Sequence, residues 1–107
     1  MFKRNHLLFV IVEQDHEIEV LDVLNDIGIT AFSRFTGTGT GIWQQAERDI
    51  NPEKAIIIAV ISRKLKRTVL KTLAYKAKLR ETGRGIAFTM PVDGGVGVGI
   101  PFPTLQV

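Results

Sequence analysis

The sequence predicts one small α+β domain of element order β-α-β-β-α-β, and three observations carry the prediction. Two runs, His6–Val12 and Ala55–Ile61, are almost continuously apolar and rich in β-branched residues, the pattern of buried strands. Each run leads into a segment with apolar residues at helical spacing that closes on a glycine, Gly28 or Gly83. After each glycine comes a shorter run that reads as a further strand, Ile29–Thr36 and Gly85–Val92.

The first helix begins at Asp15, a good N-cap, with Glu17 and Glu19 where the helix dipole favours negative charge. Ile18, Val20, Leu21, Val23, Leu24 and Ile27 supply its apolar positions over about 13 residues. Ile29–Thr36 then mixes bulk and polarity as a half-buried strand does, and the glycines of Thr36-Gly37-Thr38-Gly39-Thr40-Gly41 are expected to end it. The stretch from Ile42 to Glu53 reads as a loop or short helix closing on Asn51-Pro52. Ser62 caps a long second helix expected over Arg63–Thr82, with Leu65, Val69, Leu70, Leu73, Ala74 and Ala77 as its apolar stripe. Pro91 near the end of the last strand suits an edge or a strand terminus.

This order is the ferredoxin-like split arrangement: an antiparallel sheet with both helices on one face and the first and third strands in its centre. Those central strands are apolar on both faces, whereas a sheet with one face in water alternates. Something must cover the second face, and another copy of the same sheet is the simplest candidate. A homo-oligomer is therefore expected.

The 107-residue length suits a single domain spanning 1–107, with sites in clefts and not in a deep private cavity. Cysteine is absent, which excludes disulfides and thiolate metal sites. The apolar run near the N-terminus is too short to span a membrane and no small-residue cleavage site follows it, so no membrane insertion and a cytoplasmic protein are expected. The net charge of +3 is unevenly spread. Glu13 to Asp26 holds six acids and no Lys or Arg, while Arg63 to Arg84 holds nine basic residues against Glu81 alone. Two helices lying side by side with complementary faces is the preferred reading of this segregation. A nucleic-acid surface on the basic segment 63–84 is the alternative.

The catalytic inventory is thin. His6 and His16 are the only neutral-pH bases, and neither accompanies a nucleophile pattern. His16, Glu17 and Glu19 read as a solvated helix start and not as metal ligands. No catalytic residue, no metal and no enzyme activity are expected. The glycine-rich stretches say more, because glycine lets backbone N–H groups approach a ligand closely. Thr36-Gly37-Thr38-Gly39 lacks the Lys-Ser/Thr of a P-loop and opens no convincing helix. Gly83-Arg84-Gly85 joins the basic helix to the last strand and adds a cation.

These segments together resemble the P-II signalling family. Thr82-Gly83-Arg84-Gly85-Ile86-Ala87-Phe88-Thr89-Met90-Pro91-Val92 is similar to the family's B-loop and following strand, T/I-G-x-G-K-I-F-V-x-P-V. Gly28-Ile29-Thr30-Ala31-Phe32-Ser33 resembles its G-I-T-G-M-T segment, and Thr36-Gly37-Thr38-Gly39 its K-G-F-G entry to the T-loop. Pro52-Glu53-Lys54 before the third strand also fits, so the resemblance runs from about residue 7 to 99 and is nearest to a shorter P-II-like branch. It implies a ferredoxin-like homotrimer that binds adenine nucleotides between subunits and engages a target protein (an enzyme, transporter or regulator) through its T-loop, here residues 36–54. Matched by position, Ser33 and Val60 would flank the adenine. Gly37 and Gly39 would form the T-loop base with Thr38 between them, Gly83, Arg84 and Gly85 would face the phosphates, and Arg84 and Lys54 would replace missing phosphate cations only in part.

The chain also departs from the family pattern. Ile86 stands where the B-loop lysine is expected, and Gly97 and Gly99 stand where two phosphate-binding arginines are expected. At roughly 1.5–3 kcal/mol for each hydrogen bond to a charged group, the loss weakens any triphosphate site by several kcal/mol. No cofactor is expected, and an adenine nucleotide is a candidate ligand beside other small effectors. The 36–54 segment has no tyrosine to modify. Its apolar pair Ile42 and Trp43 reads either as a plug on its own domain or as an anchor for a partner. The tail 93–107 is uncharged after Asp93, and its apolar residues suit packing on a neighbouring subunit.

Overall fold

The computed structural model describes residues 5–38, 53–81 and 83–96. Strand β1 (Asn5–Glu13) leads through a 3-10 turn (Gln14–His16) into helix α1 (Glu17–Ile27). Strands β2 (Ser33–Thr38) and β3 (Glu53–Ser62) follow, then a second 3-10 turn (Arg63–Leu65), helix α2 (Lys66–Lys76) and strand β4 (Gly85–Pro91). The sheet order is β2-β3-β1-β4 with every neighbour antiparallel, the ferredoxin-like α+β arrangement with β1 and β3 in the centre.

Strand side chains alternate between faces, so register decides what each face carries. Leu8, Val10 and Val12 of β1 and Ala55, Ile57, Ala59 and Ile61 of β3 turn to the helices. There they pack with Val20, Val23 and Leu24 of α1 and Val69 and Leu73 of α2. Leu8, Leu24, Ile57 and Leu73 are fully buried, each contributing about 1.5–3 kcal/mol by transfer from water.

The opposite face is uncovered by any helix. Its residues fall into rows across the strands, read from the Cα partners. One row is Phe35-Ile56-Ile11-Ile86, the next Ser33-Ile58-Phe9-Phe88, the third Val60-Leu7-Met90. Phe9 and Phe88 stack at 5.2 Å between ring centroids. Phe35, Val60, Ile86, Phe88 and Met90 are all exposed. At one end the apolar rows give way to Gly37-Lys54-Glu13.

Several local expectations change. Asp15 is not an N-cap: it lies within the 3-10 turn, and no side chain caps that turn or α1. Ser62 does cap, its Oγ accepting from Lys64 N at 3.2 Å. Gly28 closes α1 at φ +101, where a side chain is disfavoured. Helix α2 ends at Lys76, well short of Thr82, and the left-handed residue that turns the chain is Lys78 at φ +61. Leu79 N then bonds Leu73 O and Arg80 N bonds Ala74 O, closing the helix end. Ala77, Lys78, Leu79 and Arg80 are all good helix formers, so propensity gives no stop signal here. The turn brings Leu79 against the core, a tertiary gain that overrides it.

Strand β2 starts four residues later than expected and runs through Gly37, because β3 begins at Glu53 and supplies hydrogen-bonding partners as far as Thr38. The complementary-helix reading is also corrected. The ion pairs of α1 run to Arg34 of β2 (Glu17, 2.8 Å) and to Arg84 before β4 (Glu19), not to the bases of α2.

Two outcomes follow from these positions. A Cβ on Gly85, at φ +144, would stand 2.4 Å from the Ile11 carbonyl oxygen, while one on Gly28 meets nothing within 4 Å. Gly85→Ala is therefore expected to cost about 2–3 kcal/mol in chemical denaturation and Gly28→Ala about 1 kcal/mol. His6 is buried on the helix side of β1, and its pKa is lowered from 6.5, first by burial and then by Lys66 and Arg63. Its neutral form is favoured on folding, so this contribution is whole above about pH 6.5 and is lost as pH falls below that value. Thermal melts from pH 7.5 to 5 are expected to show the decline, and His6→Leu to flatten it.

Candidate functional site

The expected site residues fall at the two edges of the sheet. Gly37 and Lys54 are Cα partners on the uncovered face, and Ser33 lies beside Ile58 on the same face, one row from Val60. Thr38, opposite Glu53, belongs to the other face of β2. These five residues share the β2–β3 edge. Gly83, Arg84 and Gly85 lie instead at the turn into β4, on the far edge. Gly39, Ile42 and Trp43 lie outside the described residues, as do Gly97 and Gly99 and the tail beyond Val96.

Both glycine groups nevertheless occupy one end of the sheet, because Gly37 aligns with Lys54, Lys54 with Glu13, and Gly85 with Val12. Strands β3 and β1 separate them, which at the usual interstrand spacing is about 14 Å. Within one chain they lie apart and do not share one cleft. At each, packing or backbone conformation within the chain favours glycine. A Cβ on Gly37 would meet Ile56 Cδ1 at 2.9 Å, and Gly83 adopts φ +86, which favours glycine.

Register and burial explain the electrostatics. Lys54 is 9% exposed, and its ammonium lies 3.7 Å from the Glu13 carboxylate, its cross-strand partner. Burying a lysine is costly without such a counter-charge. Arg84 folds back over α1, donating through Nη2 to Glu19 Oε1 and, at 3.5 Å, to the Ala77 carbonyl. Ile86, in the place of the expected lysine, is 46% exposed at the end of the Phe35-Ile56-Ile11 row.

Sequence reasoning missed Glu13 and Glu19. Glu13 was legible in principle, since β1–β3 pairing puts it opposite Lys54; Glu19, 65 positions from Arg84, was not.

Neither histidine joins the glycine groups among the described residues. His6 faces the helices and not the site. His16 lies 3.5 Å from Glu19 in a helix-start pair. Among the described residues no three His, Cys, Asp or Glu side chains cluster closely enough to hold a metal ion, and no helix is long and apolar enough to cross a membrane. The chemistry on offer is binding through backbone amides, an apolar row and two ion pairs.

Comparison with known proteins bears on which family builds such a domain. A comparison with curated protein sequences finds no match. Among solved structures the fold is similar to that of Arabidopsis thaliana PII bound to citrate, at a TM-score of 0.69 and 23% identity, over 90% of this chain and 84% of that one. The model of the family Nitrogen regulatory protein P-II matches residues 5–98, which span all four strands and both helices. The chain therefore belongs to the P-II family.

Proposed function

We propose that this chain is a P-II regulator and not an enzyme, acting as a homotrimer that binds a small effector in clefts between copies. Effector binding would set the conformation of the 36–54 segment, with Ile42 and Trp43 as its contact to a target protein, by a shift of population. The observation that carries this reading is the pair of glycine half-sites at opposite edges of one sheet, aligned at the same end. Half-sites so placed meet when the β4 edge of one copy approaches the β2 edge of the next. The uncovered apolar rows supply a driving force for that approach, since contiguous exposed apolar surface of this kind marks an interaction face. Likeness to a fold solved with citrate supports a small effector as the ligand class.

The nucleic-acid alternative gains one feature and loses another. Phe9, Phe35 and Phe88 share the uncovered face, more aromatic surface than the central strands alone suggested. The basic helix α2 packs on the opposite face, so one strand of nucleic acid cannot engage both together.

Two measurements test the proposal. Isothermal titration of the full chain with adenosine, cyclic AMP, AMP, ADP and ATP is expected to give saturable binding by at least one of them; silence across the series would leave no adenine effector. Met90→Asp lies in the row farthest from Lys54. It is expected to abolish both assembly and effector binding while leaving the far-ultraviolet dichroism unchanged. Full effector binding by a monomeric Met90→Asp chain would refute the intersubunit cleft.

A further inference from the structure

We propose that the exposed side of helix α2 docks a narrow acidic segment of a partner protein, at a surface separate from the effector cleft. Eight cations stand between Arg63 and Arg80, and no acid occurs there before Glu81. All but Lys66 are exposed. None forms an ion pair with a carboxylate among the described residues, where the paired acids meet His16, Arg34, Lys54 and Arg84 instead. Lys64, Arg67 and Lys71, followed by Tyr75, recur at spacings of three and four and so share one side of the helix. Val69 and Leu73 turn the opposite side into the core. From Lys64 to Tyr75 the stripe runs about 16 Å at helical rise.

Local helix chemistry does not account for this charge. Arg63, Lys64, Lys66 and Arg67 stand at the N-terminal end of α2, where the helix dipole disfavours cations, and the first turn holds no acid. Arg67 and Lys71 repel each other one turn apart. Helix α1 is the contrast: Glu17 and Glu19 sit in its first turn, where the dipole favours them, and are paired with Arg34 and Arg84. Carboxylates laid along α2 relieve both conflicts, and an arginine can hold one through two N–H groups.

The neighbouring helix limits the width of the occupant. Both helices pack on one side of the sheet, at a usual axis spacing of about 8–10 Å, and α1 exposes Asp22 and Asp26. A nucleic-acid duplex or an anionic lipid surface is broader than one helix and brings its charges toward those acids. An acidic helix or extended peptide, about 10 Å wide, covers α2 alone. Single-stranded nucleic acid finds little to stack on, because Arg80 stands over one face of the Tyr75 ring, 5.2 Å from its centroid.

The test titrates the full chain into a fluorescently labelled oligoglutamate peptide, beside labelled oligothymidylate, duplex DNA and phosphatidylserine vesicles. Saturable peptide binding is expected at low salt, tighter than to the other three and weakening as ionic strength rises. Arg67→Glu with Lys71→Glu is expected to lower peptide affinity about tenfold or more. The same pair of changes is expected to leave the melting temperature equal or higher, since it removes the repulsion and the conflict with the dipole. Should the reversal unfold the chain, Arg67→Gln with Lys71→Gln carries the same test. Asp22→Asn with Asp26→Asn is expected to leave peptide binding unchanged and to strengthen binding of the duplex. Absence of peptide binding, undiminished binding after the changes at Arg67 and Lys71, or tighter binding of a nucleic acid or vesicle than of the peptide would overturn the proposal. So would a duplex affinity that the changes at Asp22 and Asp26 fail to raise. None of these residues belongs to the proposed effector cleft, so failure here leaves that reading standing.

Discussion

Three rows of apolar side chains on the side of the sheet away from the helices constrain everything else in this molecule. Leu7, Phe9 and Ile11 from β1, Ile56, Ile58 and Val60 from β3, Phe35 from β2 and Ile86, Phe88 and Met90 from β4 make a patch interrupted only by Ser33. From strand and row spacings it measures roughly 15 Å on a side. The helices cannot help, since both are spent on the opposite face, where Leu8, Val10, Ile57 and Ile61 already bury them. A chain that folds this way acquires a second hydrophobic surface that no helix among the described residues covers.

Covering that face also bears on the site proposed for the effector. Gly37 of β2 and the turn at Gly83–Gly85 lie on separate edges of the sheet, the two halves of the proposed ligand cleft. Assembly through the apolar rows is what would bring the halves together, which ties effector binding to quaternary structure. Lys54 is paired with Glu13 and Arg84 with Glu19 at that end of the sheet.

Much of the fold was legible because its signals are local or periodic. The buried strands announced themselves through β-branched runs, Gly28 and Ser62 through cap chemistry, and the two-faced apolarity of β1 and β3 through the failure to alternate. What was not legible depends on contacts distant in sequence. Lys78 turns the chain where no breaker stands, because Leu79 gains the core. Strand β2 runs through Gly37 because β3 supplies a partner. The acids of α1 pair with Arg34 and Arg84 instead of with α2, a choice made by three-dimensional proximity that charge segregation alone misread. The site followed the same division. Its glycines could be found by motif, but their separation onto two edges and the pairing of Lys54 with Glu13 required the register.

If covering the apolar rows is the governing constraint, the free chain in dilute solution should not be monomeric. Sedimentation equilibrium across the low micromolar range measures this directly. The account predicts a single species of three times the 11.9 kDa chain mass, unchanged by salt because the contact is apolar. A stable, soluble monomer at those concentrations would contradict it.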